Sequence, residues 1–332
     1  MNRLFDTLPG VAMPVPQVTR QIASMWRETE KDGEPSNAHA LQMNLVIHFG
    51  LETSMEEGKR IFEVAIEFSQ RHPSRVILLC PEESSGKEIA LDSKLYSQCF
   101  LGEKGHGKCC CEALVLGYNT NEAIYLNDQL SVWLASDLPV YHWIHRPPAD
   151  FEGEHSRKLF ANARRVVFDS EVDGSLEDVG ASIQNSILSD LAQARIVRFK
   201  QSLGQFLSAI PVATLVSHLV EVKMFTKKRK KAEALLLLSW QERRLRHCSE
   251  LTDTKLNKAA FHLEDLPDQS ENVMAAEWIY EGNKSLQWEL RDGSETAWVE
   301  TSFNNRPTRH PLRADPFQPA KALSEALFFN LF

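Results

Sequence analysis

Residues 43–80, MNLVIHFGLETSMEEGKRIFEVAIEFSQRHPSRVILLC, decide the fold of the first half of the chain. Met43–Phe49 is an apolar run that predicts a β-strand. Ser54 and Glu57 have the spacing of a capping box, which starts a helix, and apolar residues then recur at helical spacing. Val76–Cys80 is a continuous apolar run typical of a strand buried on both faces. Strand, helix and strand in this order predict a right-handed βαβ unit.

The flanking sequence extends this unit in both directions. Residues 1–40 form a lead-in with one predicted helix, Val18–Thr29. Residues 41–195 are predicted to form an α/β domain with a largely parallel or mixed sheet. Its further predicted strands are Leu95–Leu101, Lys108–Leu116, Leu138–Ile144 and Arg165–Asp169, and its further predicted helices are Asn121–Ala135 and Leu176–Ala194.

Residues 196–332 predict a second domain, of α+β type with antiparallel strands. A strand at Val212–Met224, a helix at Lys227–Arg246 and a closing helix at Pro316–Phe329 are expected. Asp292-Gly293 separates two alternating segments and predicts a hairpin, because this dipeptide accepts positive φ. Four aromatic residues are expected on the inner face of the sheet: Trp278, Tyr280, Trp288 and Trp298.

Composition narrows the class of protein. The chain has 332 residues and a formal net charge of −8, whereas a general nucleic-acid binder usually presents a basic face. The start of the chain lacks an apolar segment of signal-peptide length, and the apolar runs are far shorter than the ~18 residues of a membrane span. We expect a cytoplasmic protein that binds neither nucleic acid nor membrane. Its six cysteines are too few for a disulfide scaffold in a chain this long.

Signatures of common enzymes fail when tested against the sequence. Gly86-Lys87 lacks the upstream glycine of a phosphate-binding loop, and Gly105-His106-Gly107 lacks the third glycine of a dinucleotide fingerprint. There is no nucleophile elbow and no His-Glu-x-x-His pair. We therefore expect no catalytic residues, no cofactor and no metal site.

The cysteines are the sharpest chemical feature. Alternation along a strand puts Cys109 and Cys111 on one face and Cys110 on the other. Three interpretations are open: buried apolar core residues, a redox switch that includes Cys99 on the neighbouring strand, or a metal site with His106. The core interpretation is favoured, since free cysteine is usually buried.

A run of basic residues is a candidate for contact with a partner. The basic run Lys227, Lys228, Arg229, Lys230 and Lys231 stands at a helix start, where positive charge opposes the macrodipole. A solvated helix entrance is the more common explanation of such a run.

His142 and His145 flank Trp143 on a predicted strand, where this spacing points side chains to opposite faces, so shared metal ligation is not expected.

Six segments, in order, resemble the glucose-6-phosphate dehydrogenase assembly protein (OpcA) family. They are His72-Pro-Ser-Arg-Val-Ile-Leu-Leu79, Cys109-Cys-Cys-Glu112, Asp137-Leu-Pro-Val-Tyr-His-Trp143, Phe168-Asp-Ser170, Asp190-Leu-Ala-Gln-Ala-Arg195, and Leu237-Leu-Ser-Trp240 with Arg244-Leu245. The similarity extends over residues 40–328. Ile144 stands where the family often has a second tryptophan.

The resemblance implies a bacterial protein without catalytic residues that binds the glucose-6-phosphate dehydrogenase oligomer and raises its activity. It places the protein at the entrance of the oxidative pentose phosphate pathway, and in photosynthetic members this activation is linked to thiol redox state. The candidate contacts are Leu138, Pro139, Trp143 and Arg146, the basic run at 227–231 and the hairpin at Asp292-Gly293.

Two alternatives remain open. One is an α/β enzyme or small-molecule-binding protein that uses a cleft near Cys80, Asp137 and Asp169, at the carboxyl ends of the strands. The other is a scaffold with several partners.

Overall fold

The computed structural model describes residues 3–31, 41–83, 91–101, 108–147, 154–174, 183, 186–252, 256, 259–303 and 307–329. The chain divides into two compact units. The first comprises Met1–Asp190 and Pro319–Asn330, and the second comprises Leu191–Gln318 and Leu331–Phe332. The closing helix therefore belongs to the first unit, whereas the sequence placed it in the second domain.

The elements follow one another along the chain, with 3-10 helices at Thr120–Tyr125 and Lys228–Lys230. They are α1 Leu4–Thr7, β1 Val11–Pro14, α2 Val15–Lys31, β2 Met43–Phe49, α3 Met55–Arg71, β3 Ser74–Glu82, β4 Asp92–Leu101, β5 Lys108–Asn119, α4 Leu126–Trp133, β6 Val140–His145, α5 Glu154–Phe160, β7 Ala163–Phe168, α6 Ser170–Asp173, β8 Ile187–Asp190, α7 Leu191–Arg195, α8 Val197–Ser208, α9 Val212–Val216, β9 Leu219–Thr226, α10 Lys231–Leu251, β10 Ala260–Asp265, β11 Asn272–Tyr280, β12 Ser285–Arg291, β13 Thr296–Thr301, β14 Thr308–Arg313 and α11 Pro319–Phe328.

The first unit contains an eight-stranded mixed sheet, in the order β1-β4-β5-β3-β2-β6-β7-β8. Six strands are parallel, and β4 is antiparallel to both of its neighbours. Numbered along the chain, the parallel strands run third, second, first, fourth, fifth, sixth across the sheet. This is the order of doubly wound sheets, in which the chain reverses direction between the first and fourth parallel strands, here β2 and β6.

Every residue of β2 is buried, because helices cover both faces of the sheet. Val46, Ile77 and Leu114 pack against α2 and α4. On α3, which the Ser54–Glu57 capping box starts as predicted, Phe68 stacks on Phe328 of α11. Burial of such side chains contributes roughly 1.5–3 kcal/mol each and gives this unit its core.

Two predicted elements are wrong. Residues 187–190 of the predicted helix 176–194 form β8, because they pair in parallel with β7 at the sheet edge, and α7 follows. Residues 176–182 and 184–185 of that prediction lie outside the described residues. The predicted strand 212–224 divides into α9 and β9, because Pro211 begins a helical turn in which its carbonyl accepts from Thr214.

The second unit contains a six-stranded sheet, in the order β10-β9-β11-β12-β13-β14. All neighbours are antiparallel except β9 and β10, which are parallel, so the predicted antiparallel sheet is instead mixed. Its inner face packs on α8 and α10, and Trp278 Nε1 donates to Gln241 Oε1 over 2.9 Å. The predicted hairpin is confirmed, with Gly293 at φ 69°.

Candidate functional site

The carboxyl edge of the first sheet is where a fold of this strand order binds ligands. Such sheets hold them in the crevice outside the strand ends, at the point where the strand order reverses. Here β2 ends at Phe49, β6 at His145, β7 at Phe168 and β8 at Asp190. Whether this crevice is open decides between a ligand-binding protein and a protein that acts through its surface.

The loops after β2 and β6 close the crevice with backbone. The N–H of Gly50 donates to the carbonyl of His145 over 2.8 Å. A Cβ at Gly50 would lie 1.4 Å from the carbonyl oxygen of Arg146, so only glycine fits at this close approach. The backbone segments after β2 and β6 are therefore in direct contact at this edge.

An ion pair covers the same place from the side. Arg146 Nη2 lies 2.7 Å from Glu57 Oε1, and Arg146 Nε lies 3.1 Å from Glu57 Oε2. Hydrogen bonding from Arg146 lowers the pKa of Glu57 to about 2. Glu56 and Glu57 stand in the first turn of α3, where an anion would otherwise be held. This helix start repels phosphate rather than binding it.

Asp173 fixes the unusual backbone of Arg146. Arg146 has φ 52°, in the left-handed region, and its N–H donates to Asp173 Oδ1 over 2.7 Å. The N–H of Asp169 donates to the other carboxylate oxygen over 2.8 Å. Burial raises the pKa of Asp173 to about 7, in spite of these two donors. A strained residue held by two neighbours indicates a built feature of the fold.

Three buried histidines lie under this edge. His48 Nε2 and His142 Nδ1 are 2.8 Å apart, and Phe160 packs against both rings. Burial lowers the pKa of His48 to about 3, lowers that of His142 well below its ordinary value, and lowers that of His145 to about 4. His145 Nε2 is buried, has no hydrogen-bond partner among the described residues, and lies 4.0 Å from Glu57 Oε1. These rings are neutral at pH 7 and bury their polar atoms against one another or in the core.

The predicted cleft residues do not converge. Cys80 is buried within β3, where burial raises the pKa of its thiol. Asp137 precedes β6 and therefore lies at the amino edge, opposite Asp169. The prediction that these residues share a cleft was wrong, because the strand at 138–144 runs toward the edge away from Asp137. The described residues contain no cluster of three or more His, Cys, Asp or Glu side chains that could hold a metal ion.

The cysteines divide into two environments. Cys111 is fully buried in β5, as the core interpretation expects. Cys99, which the redox interpretation included, is exposed on β4 and is disulfide-bonded. Strand register puts Cys99 opposite Cys110. The side chains of Cys109 and Cys110, and the whole of His106, lie outside the described residues.

The candidate contact segment at 138–146 is only partly accessible. Leu138 and Pro139 are half-buried, and the Arg146 side chain is 33% exposed. Trp143 is 5% exposed and lies in the core, so it is removed from the candidate contacts. Alternation along β6 could not have indicated this, because the strand is buried from Tyr141 to His145.

Two members of the basic run, Arg229 and Lys230, form ion pairs within their own unit. Arg229 forms an ion pair with Asp292 of the β12–β13 hairpin. Lys230 Nζ lies 2.7 Å from Glu233, a buried carboxylate that Arg195 also contacts. Lys228 and Lys231 are exposed, and the contacts of the described residues include no ion pair for either. Lys227 is half-buried.

Comparison with known protein families gives one match. Residues 65–197 match the model of the OpcA family that is described as the glucose-6-phosphate dehydrogenase subunit N-terminal domain. The match supports the OpcA family for this part of the chain. The matched region begins within α3 and includes the ends of β6, β7 and β8, and it supports the resemblance found in the sequence.

Two solved structures are similar to this chain at low identity. Glucose-6-phosphate 1-dehydrogenase from Mycobacterium avium is 10% identical, over 86% of this chain and 87% of its own, with a TM-score of 0.45. Dipicolinate-bound dihydrodipicolinate reductase from Paenisporosarcina sp. TG-14 is 10% identical, over 86% and 93%, with a TM-score of 0.36. At TM-scores this low, neither structure defines the fold or function of this chain. No curated protein matches it. No helix among the described residues has the length and apolarity needed to cross a bilayer.

Proposed function

We propose that this protein is a non-catalytic assembly factor and allosteric activator that binds glucose-6-phosphate dehydrogenase. The family match over residues 65–197 carries the proposal. The closure of the carboxyl edge by Gly50, Glu57 and Arg146 supports it, since that edge is the usual ligand site of such a sheet.

An activator acts by binding the active state of its partner more tightly than the inactive state. A coupling free energy of about 1–3 kcal/mol would change substrate affinity roughly 5- to 150-fold. The residues of this chain then need only complementary contacts with the dehydrogenase.

Lys228 and Lys231 are the members of the basic run that we propose for this contact, together with the half-buried Leu138 and Pro139. Both lysines are exposed beside the committed pair Arg229 and Lys230. Their ammonium groups would meet an acidic surface of the dehydrogenase.

Cys99 adds a proposed redox control. An exposed disulfide on a strand near a hairpin end is accessible to cellular thiols, which reduce it by thiol–disulfide exchange. Reduction would free the Cys99 thiol near the end of β4, whereas Cys111 stays buried in β5.

Dehydrogenase kinetics with and without this protein, in dithiothreitol and in oxidant, test the proposal. A lower apparent Michaelis constant for glucose 6-phosphate, or a higher turnover number, is expected. A difference between the redox conditions that disappears in Cys99→Ser would support the redox control. No kinetic effect together with no co-elution on size exclusion would overturn the proposed function.

Two pairs of residues from the basic run supply two variants with different expected effects. Lys228→Glu with Lys231→Glu is expected to weaken dehydrogenase binding about tenfold at low salt, with unchanged thermal stability. Arg229→Gln with Lys230→Gln is expected to lower stability instead, because it breaks the contacts with Asp292 and Glu233. Unchanged affinity in the first variant at low ionic strength would remove the basic run from the interface.

A further inference from the structure

The outer face of the six-stranded sheet contains an open basin. Alternation along the strands turns Phe225, Ala275, Glu289 and Trp298 outward, and strand pairing puts them side by side in one row across four strands. The small side chain of Ala275 leaves space between the larger residues. The basin has a volume of about 390 Å³.

The lining of this basin is aromatic and acidic. Its charged side chains are Glu277, Glu289, Glu300 and Arg309, three carboxylates against one guanidinium. Trp298, which the sequence placed on the inner face, is 37% exposed. Its neighbours Ala297 and Val299 are buried, so strand alternation in the sequence contained the signal for an outward Trp298.

Arg309 shows which chemistry this surface accepts. Its guanidinium carbon lies 4.6 Å from the centroid of the Trp298 ring, and its Nη2 lies 2.9 Å from Glu289 Oε1. A cation over an aromatic face with a carboxylate beside it is a favourable pair of contacts. The Arg309 side chain is itself 51% exposed, so solvent reaches this arrangement.

The other two carboxylates are less engaged. Glu277 accepts one hydrogen bond, from Gln287 Nε2 over 2.8 Å. Glu300 is exposed, and the contacts of the described residues give it no hydrogen bond or ion pair. Two carboxylates beside an accessible tryptophan favour a cation and repel an anion, and an apolar occupant would leave both without compensation.

We propose that this basin docks an arginine- or lysine-bearing segment of a partner protein. Trp298 and Phe225 are three strands apart, so different side chains of the segment lie against the two rings, and Glu277 and Glu300 balance their positive charge. Arg309 marks one end of the site. The inference rests on the proposed function for one point, the identity of the partner as the dehydrogenase. The positive charge of the occupant follows from the lining of the basin.

Titration of the full chain with hexa-arginine peptide tests the surface directly, with hexa-glutamate as the opposite probe. The triple variant Glu277→Gln, Glu289→Gln, Glu300→Gln is compared with Glu250→Gln, Glu281→Gln, Glu295→Gln, which removes the same charge from exposed positions of the same unit outside the basin. Basin neutralisation is expected to weaken hexa-arginine binding about tenfold, and the control less than about twofold. Equal effects, or tighter binding of hexa-glutamate, would overturn the proposal.

Trp298→Ala provides a second variant that leaves all charges in place, in case the triple variant does not fold. It is expected to weaken hexa-arginine binding about threefold, by loss of the cation–π contact. Unchanged binding in Trp298→Ala together with unchanged binding in a folded triple variant would eliminate the basin.

The same variants are then tested for binding to glucose-6-phosphate dehydrogenase. A loss of about tenfold in the triple variant, with wild-type affinity in its control, identifies the basin as the docking site. Full affinity in the triple variant would overturn the basin as that site while the proposed function stands. A wild-type protein that does not bind the dehydrogenase would instead defeat the proposed function, and the peptide titration then decides the basin alone.

Discussion

Glu57 and Glu300 are both carboxylates at surfaces where a ligand could bind, but they differ in their hydrogen bonds and ion pairs. Glu57 at the carboxyl edge of the first sheet is held by Arg146 at 2.7 Å and by the Ser54 backbone at 3.0 Å. Glu300 on the outer face of the second sheet is exposed and has no such contacts among the described residues. Since paired groups gain little from a ligand and unpaired groups gain more, the second sheet is the better place for recognition.

The closed edge and the open face also differ in what surrounds them. Gly50 brings two backbones into contact and excludes a ligand, whereas Ala275 leaves space above its strand. A fold whose usual ligand crevice is filled by its own chain, and whose second sheet has a charged aromatic basin, is suited to contact with macromolecules.

The largest change in stability is expected from substitution of Gly50, at the closed carboxyl edge of the first sheet. Gly50→Ala puts a Cβ against the carbonyl oxygen of Arg146 and should lower the free energy of unfolding by about 3 kcal/mol. The shift in urea midpoint measures it. Gly204→Ala in α8 is the control, because its Cβ would lie 3.7 Å from the ring of Trp240, an ordinary contact, and alanine gains up to about 1 kcal/mol in a helix. Equal stability of Gly50→Ala and wild type would show that the edge can open.

A smaller effect is expected from the neutral histidine beneath the closed edge. Burial lowers the pKa of His145 from its ordinary 6.5 to about 4, and it faces Glu57, Arg146, Asp169 and Arg60. Because the folded pKa is the lower one, stability is full above pH 6.5 and is lost as pH falls toward 4.

His145→Phe removes this titration. The loss of stability between pH 7 and pH 5 should become smaller by about 2 kcal/mol, as measured by urea unfolding at both values. His247→Gln, at an exposed position, should leave the loss unchanged. A wild-type pH dependence in His145→Phe would mean that the ring is not held neutral.

The smallest effect is expected on hexa-arginine binding, from substitution of Arg309 in the basin on the outer face of the second sheet. Arg309→Ala frees Trp298 and Glu289 for an incoming cation, so hexa-arginine should bind about fivefold more tightly, since an exposed cation–π contact and a surface ion pair together contribute about 1 kcal/mol. Arg291→Ala removes one positive charge from β12, outside the lining of the basin, and serves as control. Weaker binding in Arg309→Ala would show that Arg309 helps to hold the occupant rather than competing with it.

Local patterns predicted parts of both sheets well, because these signals are short in sequence. The capping box at Ser54 and Glu57, the buried run at 76–80 and the Asp292-Gly293 turn each depend on neighbouring residues alone. Residues 187–190 failed for the opposite reason. Their apolar spacing fits a helix, but pairing with β7, which is distant in sequence, makes them a strand.

The candidate site was predicted less well. The sequence identified Arg146 as a contact residue but could not place it beside Glu57 and Asp173, because these three lie in different segments that only the sheet order brings together. Trp143 was assigned to the surface although its strand is covered on both faces. Trp298 was assigned to the core although the alternation of its strand turns it outward.

The sequence by itself determined the resemblance to the OpcA family and the βαβ beginning of the first unit, since each is written in short segments of consecutive residues. Only the tertiary structure decided that the carboxyl edge is closed and that the outer face of the second sheet is open. Both depend on distances between segments far apart in the chain, namely Gly50 against Arg146 and Phe225, Glu289 and Trp298 across paired strands. Strand order and register set these distances, and no local pattern specifies them.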